Sequence, residues 1–358
     1  MQAPDYRSKL LSSVQDLYDR YGYRPYRMHK FEEYDLYAKN KDFLISDSII
    51  TFTDRSGKLM ALKPDVTLSI VKNSADSGSV QKLSYQENVY RVSKGSDSFR
   101  ELLQVGLECL GTIDDYCICE VLILAAKSLR LISENCVLDI SHLGVVTQLL
   151  DAIAIPRENH PAVFSLMSEK NLHELQSLCR ENAVSEENID LLLQLLKLSG
   201  DIQSTLPQLQ KLMEQLPPIP AFSRFEKILS ALLETEEAGI FHIDFSVVDD
   251  VHYYNGVVFK GFVSSIPRSV LSGGQYDRLM KKMGRKSGAL GFALYTDELE
   301  WLWNEPNPYD VETVLLYPAD APLSAVTKKV AELTAQGQQV LALSAIDNNL
   351  RYQKLIHL

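Results

Sequence analysis

No two cysteines in this chain are spaced C-x-x-C, and the five that occur (Cys109, Cys117, Cys119, Cys136 and Cys179) are odd in number. Cys117-Ile-Cys119 has no second Cys or His pair nearby at zinc spacing, so no metal site is read there. The thiols read instead as buried groups in a reducing compartment. Long apolar runs are missing too. The most apolar helical stretch, Val121 to Ile132, is interrupted by Lys127 and Arg130 and is too short to span a bilayer. Asp5, Arg7 and Lys9 break up the start, so no signal peptide is expected there. Positive charge is scarce: 36 Lys and Arg face 47 Asp and Glu, a net charge of −11. Phosphate neutralisation by Lys and Arg supplies most nucleic-acid affinity, so such a chain has no global pull toward RNA or DNA. A cytoplasmic protein without membrane or nucleic-acid partners is expected.

What remains is ordinary for a globular protein: 358 residues, 46% hydrophobic and 23% charged, with room for two or three domains. Residues 5–21 place Leu10, Val14, Leu17, Tyr18 and Tyr21 on one helical face, with Gly22 as C-cap. Ile49–Thr53 and Leu59–Leu62 flank the turn Asp54-Arg-Ser-Gly57 and read as a hairpin. A helix starts near Pro64–Thr67. Val80–Tyr90 and Glu101–Gly111 read as strands, residues 114–134 as a helix and Val137–Ile140 as a buried strand. From Pro156 to about Thr235 the chain turns into Leu-rich amphipathic segments, an all-helical insertion. Strand texture returns at Ile240–Phe245, Gly256–Val263 and Gly288–Leu294, and one β-α-β unit follows Pro308. The expected organisation is a discontinuous core (1–155 and 236–305), a helical insertion (156–235) and a short α/β tail (306–358). The fold class is α+β, an antiparallel sheet flanked by helices.

Four stretches could carry chemistry. Leu62-Lys-Pro-Asp-Val-Thr67 puts Asp65 and Thr67 at a strand-to-helix junction, as helix caps or as ligands to a small molecule. In Gln104-Val-Gly-Leu-Glu108 the period of two sets Gln104, Gly106 and Glu108 on one strand face, either exposed to solvent or flooring a polar pocket. Ser272-Gly-Gly-Gln-Tyr-Asp-Arg-Leu279 reads as a turn and helix start in which Gly273 and Gly274 allow close approach. Tyr253-Tyr254 completes the set.

These blocks, in this order, resemble the class II aminoacyl-tRNA synthetase core and specifically its histidyl branch. Tyr21-Gly-Tyr23 with Phe31–Leu36 resembles motif 1, and Leu62–Thr67 resembles the family's Leu-Arg-Pro-Glu-x-Thr. Tyr90-Arg91 through Phe99–Glu108 resembles motif 2. His252–Gly256 and Ser272–Leu279 resemble the two histidine-specific motifs, and Gly291–Leu294 the start of motif 3. The match spans roughly residues 5–303. It implies that Asp65, Thr67, Gln104, Glu108, Tyr253, Tyr254 and Tyr276 line a histidine pocket, with Gly273 and Gly274 leaving room for the ligand. Carboxylates suit an ammonium and an imidazole N–H, and tyrosine rings can flank an imidazole.

The departures from the family are as informative. The Arg of its Arg-Gly-Leu-Asp-Tyr-Tyr motif is Asp249 here, and the Arg of Gly-Leu-Glu-Arg in motif 3 is Glu298, with Tyr295 in place of the glycine. In motif 2 Arg91 survives, Ser93 replaces a Glu and Asp97-Ser98 replaces Gly-Arg. Two cations have become anions, a swing of about four charges around a triphosphate whose transfer chemistry needs cations. Adenylation is expected to be lost. A histidyl-synthetase-like chain without ATP chemistry resembles the regulatory subunits of short-form ATP phosphoribosyltransferases. That resemblance implies no catalysis and no cofactor, L-histidine as regulatory ligand, and a homodimer inside a hetero-octamer of four regulatory and four catalytic chains. Histidine would sit in the vestigial pocket or at the interface with the catalytic subunit, its carboxylate against Arg91 and Gln104. A divergent histidyl-tRNA synthetase, or another amino-acid-binding regulator of this fold, stays open as an alternative.

Overall fold

The computed structural model describes residues 6–43, 49–76, 78–92, 98–248, 253–299, 309–347 and 349–358. Residues 14–299 form one compact unit, and a smaller one holds residues 1–13 with 300–358. Among the described residues no helix is long and apolar enough to cross a membrane. All five cysteines are free thiols, and all but Cys119 are fully buried.

The first helix is α1 (Tyr6–Arg20); its residues from Val14 onward belong to the larger unit, and Val14 and Tyr18 are fully buried. Gly22 follows at φ 81°, the left-handed turn its position after a helix predicts. The strands that follow are β1 (Arg24–Pro25), β2 (Phe31–Glu33), β3 (Thr51–Thr53), β4 (Leu59–Leu62), β5 (Gln81–Val92) and β6 (Phe99–Gly111), with short helices α2 (Tyr34–Ala38) and α3 (Thr67–Asn73) between them. Then come α4 (Asp115–Ile132), β7 (Cys136–His142) and α5 (Leu143–Ala152). Asp114 starts α4 by accepting the Cys117 N–H at 2.8 Å.

The Leu-rich segment forms α6 (His160–Ser168), α7 (Leu172–Glu181), α8 (Glu186–Lys197), α9 (Ile202–Met213) and α10 (Pro220–Leu233). It is not wholly helical. Ser199-Gly-Asp201 is a strand, β8, which pairs antiparallel with β9 (Phe241–Asp244) and joins the main sheet. Three polar or glycine residues carry no strand pattern, so only the neighbour's backbone reveals it. The unit ends with β10 (Val257–Val263), β11 (Leu271–Gln275), α11 (Asp277–Lys282) and β12 (Gly288–Tyr295).

Nine strands form the main sheet in the order β1-β5-β6-β12-β11-β10-β7-β9-β8. Pairing is antiparallel except for β1 with β5 and β7 with β9. The expected antiparallel sheet flanked by helices is therefore present with two parallel joins. One face rests on α1 and α4: the Tyr18 ring meets Phe292 edge-on at 6.0 Å, and its hydroxyl bonds Ser128 at 3.0 Å. The other face is covered by α3 and the small sheet β2-β4-β3, which bring Tyr37, Ala61, Val66, Leu68 and Ile70 into one core with Tyr85, Val89 and Tyr276.

The stretch read as a turn, Ser272–Gln275, is instead the interior strand β11. Its glycines answer crowding within the sheet. A Cβ on Gly273 would lie 2.4 Å from the Gly291 carbonyl and from the Phe292 Cβ. One on Gly274 would lie 2.7 Å from the Tyr254 ring.

In the smaller unit, β13 (Val311–Leu316), α12 (Leu323–Ala335) and β14 (Val340–Leu343) make the expected β-α-β unit. A third strand, β15 (Tyr352–His357), pairs parallel to β13 on its other side. Its Gln353-Lys354 centre is exposed, so hydrophobic pattern alone does not reveal it.

A Gly273→Ala substitution should therefore destabilise the protein by about 1–3 kcal/mol, read by urea denaturation. Gly239→Ala, where an added Cβ meets nothing within 4 Å, should stay near neutral. Equal midpoints for the two variants would contradict this packing account.

Candidate functional site

The period-two face of β6 governs the site. Gln104, Gly106 and Glu108 share it, opposite Tyr295, Ala293 and Gly291 on β12. The face is not solvent-exposed: Gln104 and Glu108 are as buried as Val105 and Leu107 on the other side. It is a polar floor beneath a lid of α3 and tyrosines.

Glu108 is its centre, only 2% exposed. Thr67, the first residue of α3, donates its hydroxyl to Oε1 at 2.8 Å, and Tyr276 donates to Oε2 at 2.6 Å. Burial pushes the Glu108 carboxyl up to about 8, against the two hydrogen bonds, which favour the charged form. Two neighbours make room for it. A Cβ on Gly291 would lie 1.8 Å from Glu108 Oε2, and Gly106 leaves space for the Tyr85 ring, whose hydroxyl would otherwise be 2.6 Å away.

Asp65 caps α3 by accepting the Leu68 N–H at 2.9 Å, so the capping reading of this residue holds. It is also buried beside the clasp. Burial raises its carboxyl and the Arg91 guanidinium opposes the shift. Tyr253, Tyr254 and Tyr276 close the top: Tyr253 lies 4.7 Å from Tyr254 and 5.6 Å from Tyr276, centroid to centroid. Burial, with Glu108 and Asp65 nearby, pushes the Tyr253 phenol well up, and Tyr276 likewise beside Glu108.

The structure thus brings Asp65, Thr67, Glu108, Tyr253, Tyr254 and Tyr276 together. Gly273 and Gly274 correct the sequence reading. Gly274 makes room for the Tyr254 ring rather than for a ligand, and Gly273 serves the Phe259–Phe292 packing on the opposite face.

Arg91 and Gln104 sit further along, in an open cleft of about 420 Å³ that Arg268, Tyr295, Asp297 and Glu298 also line. Arg91 Nε donates to the Pro64 carbonyl at 3.2 Å, while its Nη2 is buried with no partner. Lys63, the other cation of the Leu62–Thr67 stretch, is buried and paired with Glu87. The Tyr295 hydroxyl bonds Ser272 Oγ at 2.6 Å. Glu298 lies 3.5 Å from Arg268, a cation that the sequence reading passed over because its loop matches no motif. Gly291 was also missed as a site residue. A lone glycine between Leu290 and Phe292 in a strand is the signal of close approach that could have found it. Asp249, Ser93, Asp97 and His252 lie outside the described residues. Among those described, no group of three His, Cys, Asp or Glu could hold a metal ion.

Comparison with known proteins gives three kinds of relation. A family described as histidyl-tRNA synthetase matches residues 2–299. The ATP phosphoribosyltransferase regulatory subunit of Oceanobacillus iheyensis is 23% identical over 321 residues, covering 88% of this chain and 76% of that protein. Two solved structures are similar. One is an ATP phosphoribosyltransferase regulatory subunit/histidyl-tRNA synthetase from Bacillus halodurans: TM-score 0.78, 22% identity, covering 98% of this chain and 93% of that one. The other belongs to the ATP phosphoribosyl transferase HisG:HisZ complex of Thermotoga maritima: TM-score 0.62, 20% identity, 80% of this chain and 96% of that one.

The Glu108 carboxyl makes a pH signature. Its folded value of about 8 lies above the ordinary 4.5, so its contribution is intact below pH 4.5 and is lost as pH rises toward 8. Glu108→Gln, which mimics the protonated group, should flatten that decline. The expected difference in Tm drop between pH 5 and 9 is about 2–4 °C. Parallel Tm profiles for the two proteins would show that Glu108 is not the group held protonated.

Proposed function

This chain belongs to the histidyl-tRNA synthetase family, and we propose that within it the chain is the non-catalytic regulatory subunit of a short-form ATP phosphoribosyltransferase, with L-histidine as its ligand. The catalytic subunit joins ATP to phosphoribosyl pyrophosphate in the first step of histidine biosynthesis. This chain supports that activity and transmits feedback by histidine. Curated relatives carry the regulatory-subunit name, and a similar chain belongs to a solved complex of the transferase.

The observation that carries the reading is a contrast between two adjoining sites. The buried cluster around Glu108 gathers carboxylates, hydroxyls and tyrosine rings suited to an amino acid with an N–H-bearing ring. The cleft beside it sets Asp297 and Glu298 against Arg91 and Arg268, a formal balance of zero. A triphosphate there would meet as many carboxylates as cations, and each close anion costs several kcal/mol at interior-like dielectric. Binding without adenylation follows.

In the pocket, Glu108 accepts the imidazole N–H of histidine, with Thr67 and Tyr276 fixing its orientation. The ring of Tyr253 lies beside the imidazole, and Asp65 receives the α-ammonium. Feedback then requires only that histidine bind one state of the complex better than the other.

The assembly is a homodimer of this chain within a hetero-octamer of four regulatory and four catalytic subunits, an arrangement that an isologous dimer fits. Phe31 and Phe52 stack edge-on at 5.6 Å, exposed on the small sheet, where such a dimer would cover them.

The test is reconstitution with the short catalytic subunit of the same organism, following phosphoribosyl-ATP formation. Stimulation by this chain, suppressed by histidine, is the expected result. Glu108→Ala and Tyr276→Ala should each weaken the histidine effect at least tenfold while leaving the dimer intact by sedimentation. Histidine-dependent ATP–pyrophosphate exchange by this chain alone would overturn the reading in favour of a synthetase.

A further inference from the structure

The cleft beside the Glu108 cluster holds a donor without an acceptor. Gln104 is 4% exposed and borders the cleft. Arg91 Nη2 is buried and unpaired. Gln104 lies on the cleft's inner side, since it shares the strand face of buried Glu108, about 13 Å away along β6.

The outer side carries a different arrangement. The Arg268 side chain is 76% exposed, and its ion pair with Glu298 is long at 3.5 Å. Long exposed pairs are weak and give way readily to a better-placed anion. Arginine also favours a carboxylate it can grip with two N–H groups.

We propose that Arg268 is the carboxylate anchor of the amino-acid site and that Glu298 is its internal competitor. The ligand's carboxylate takes the place of Glu298 at the guanidinium, while Arg91 Nη2 and the Gln104 amide complete its shell. Charge decides in favour of this exchange. The ligand's carboxylate adds one negative charge to a cleft of two cations and two carboxylates, and the ligand's own ammonium offsets it, whereas a polyphosphate would leave the cleft strongly negative. Glu298, read from the sequence only as a lost cation, thereby gains a role at the empty site. It holds Arg268 at the cleft and sets a threshold that weak anions do not cross. This inference rests on histidine being the ligand, and it adds a specificity-determining pair to that site.

Calorimetric titration of the full-length chain with L-histidine and with L-histidinol, which has a hydroxymethyl group in place of the carboxylate, tests it. The unmodified protein should prefer histidine at least tenfold. Arg268→Ala should bring that ratio close to one, with histidinol affinity unchanged, and Arg268→Lys should recover part of it. Glu298→Gln should tighten histidine about threefold to tenfold and leave histidinol unaffected. A preference for histidine that survives Arg268→Ala would overturn the anchor while leaving the histidine reading standing. Absence of histidine binding to the chain, alone and with its catalytic subunit, would overturn both.

Discussion

The clasp on Glu108 is the constraint to which the larger unit answers. A carboxyl only 2% exposed must find partners or stay protonated, and here it is held between two hydroxyls from distant parts of the chain. Thr67 can reach it only if α3 begins where Asp65 caps it. Tyr276 can reach it only if β11 runs beneath and turns into α11 at that point. Gly291 must lack a side chain because the carboxylate occupies the space a Cβ would need. Strand order, helix start and glycine placement therefore serve one oxygen pair.

In this member of the family an open, charge-balanced cleft lies beside the buried Glu108–Thr67–Tyr276 clasp. The cations that would steady a phosphate have been countered by Asp297 and Glu298. Shape changes little in such a conversion. The electrostatic background changes, since a cleft with as many carboxylates as cations no longer attracts a polyanion as a cationic one does.

Much of this was legible from residues. Gln104-Val-Gly-Leu-Glu108 announced a face through its period of two, and the hairpin around Asp54–Gly57 through its turn chemistry. The Ser272–Gln275 strand misled because a Gly-Gly pair ordinarily marks a turn. Here it marks two close approaches, by Phe292 and by Tyr254, that no local pattern encodes. Arg268 was invisible for a related reason: it sits in a loop without a motif, and only the pairing of β11 with β12 carries it to Glu298. The strands β8 and β15 are short or polar, and their existence is decided by the backbone beside them.

The nine-stranded sheet also ends in a way that bears on how copies of this chain can meet. Its outermost strands are β1, two residues long with Pro25, and β8, three residues with Gly200 at its centre. Proline has no amide hydrogen to donate, and so short a ladder offers few free carbonyls. A stray β-strand finds almost nothing to extend at either end. At these two strands contact between copies is left to side-chain surfaces, where a partner is chosen by shape and charge, rather than to backbone templating, which accepts any sequence.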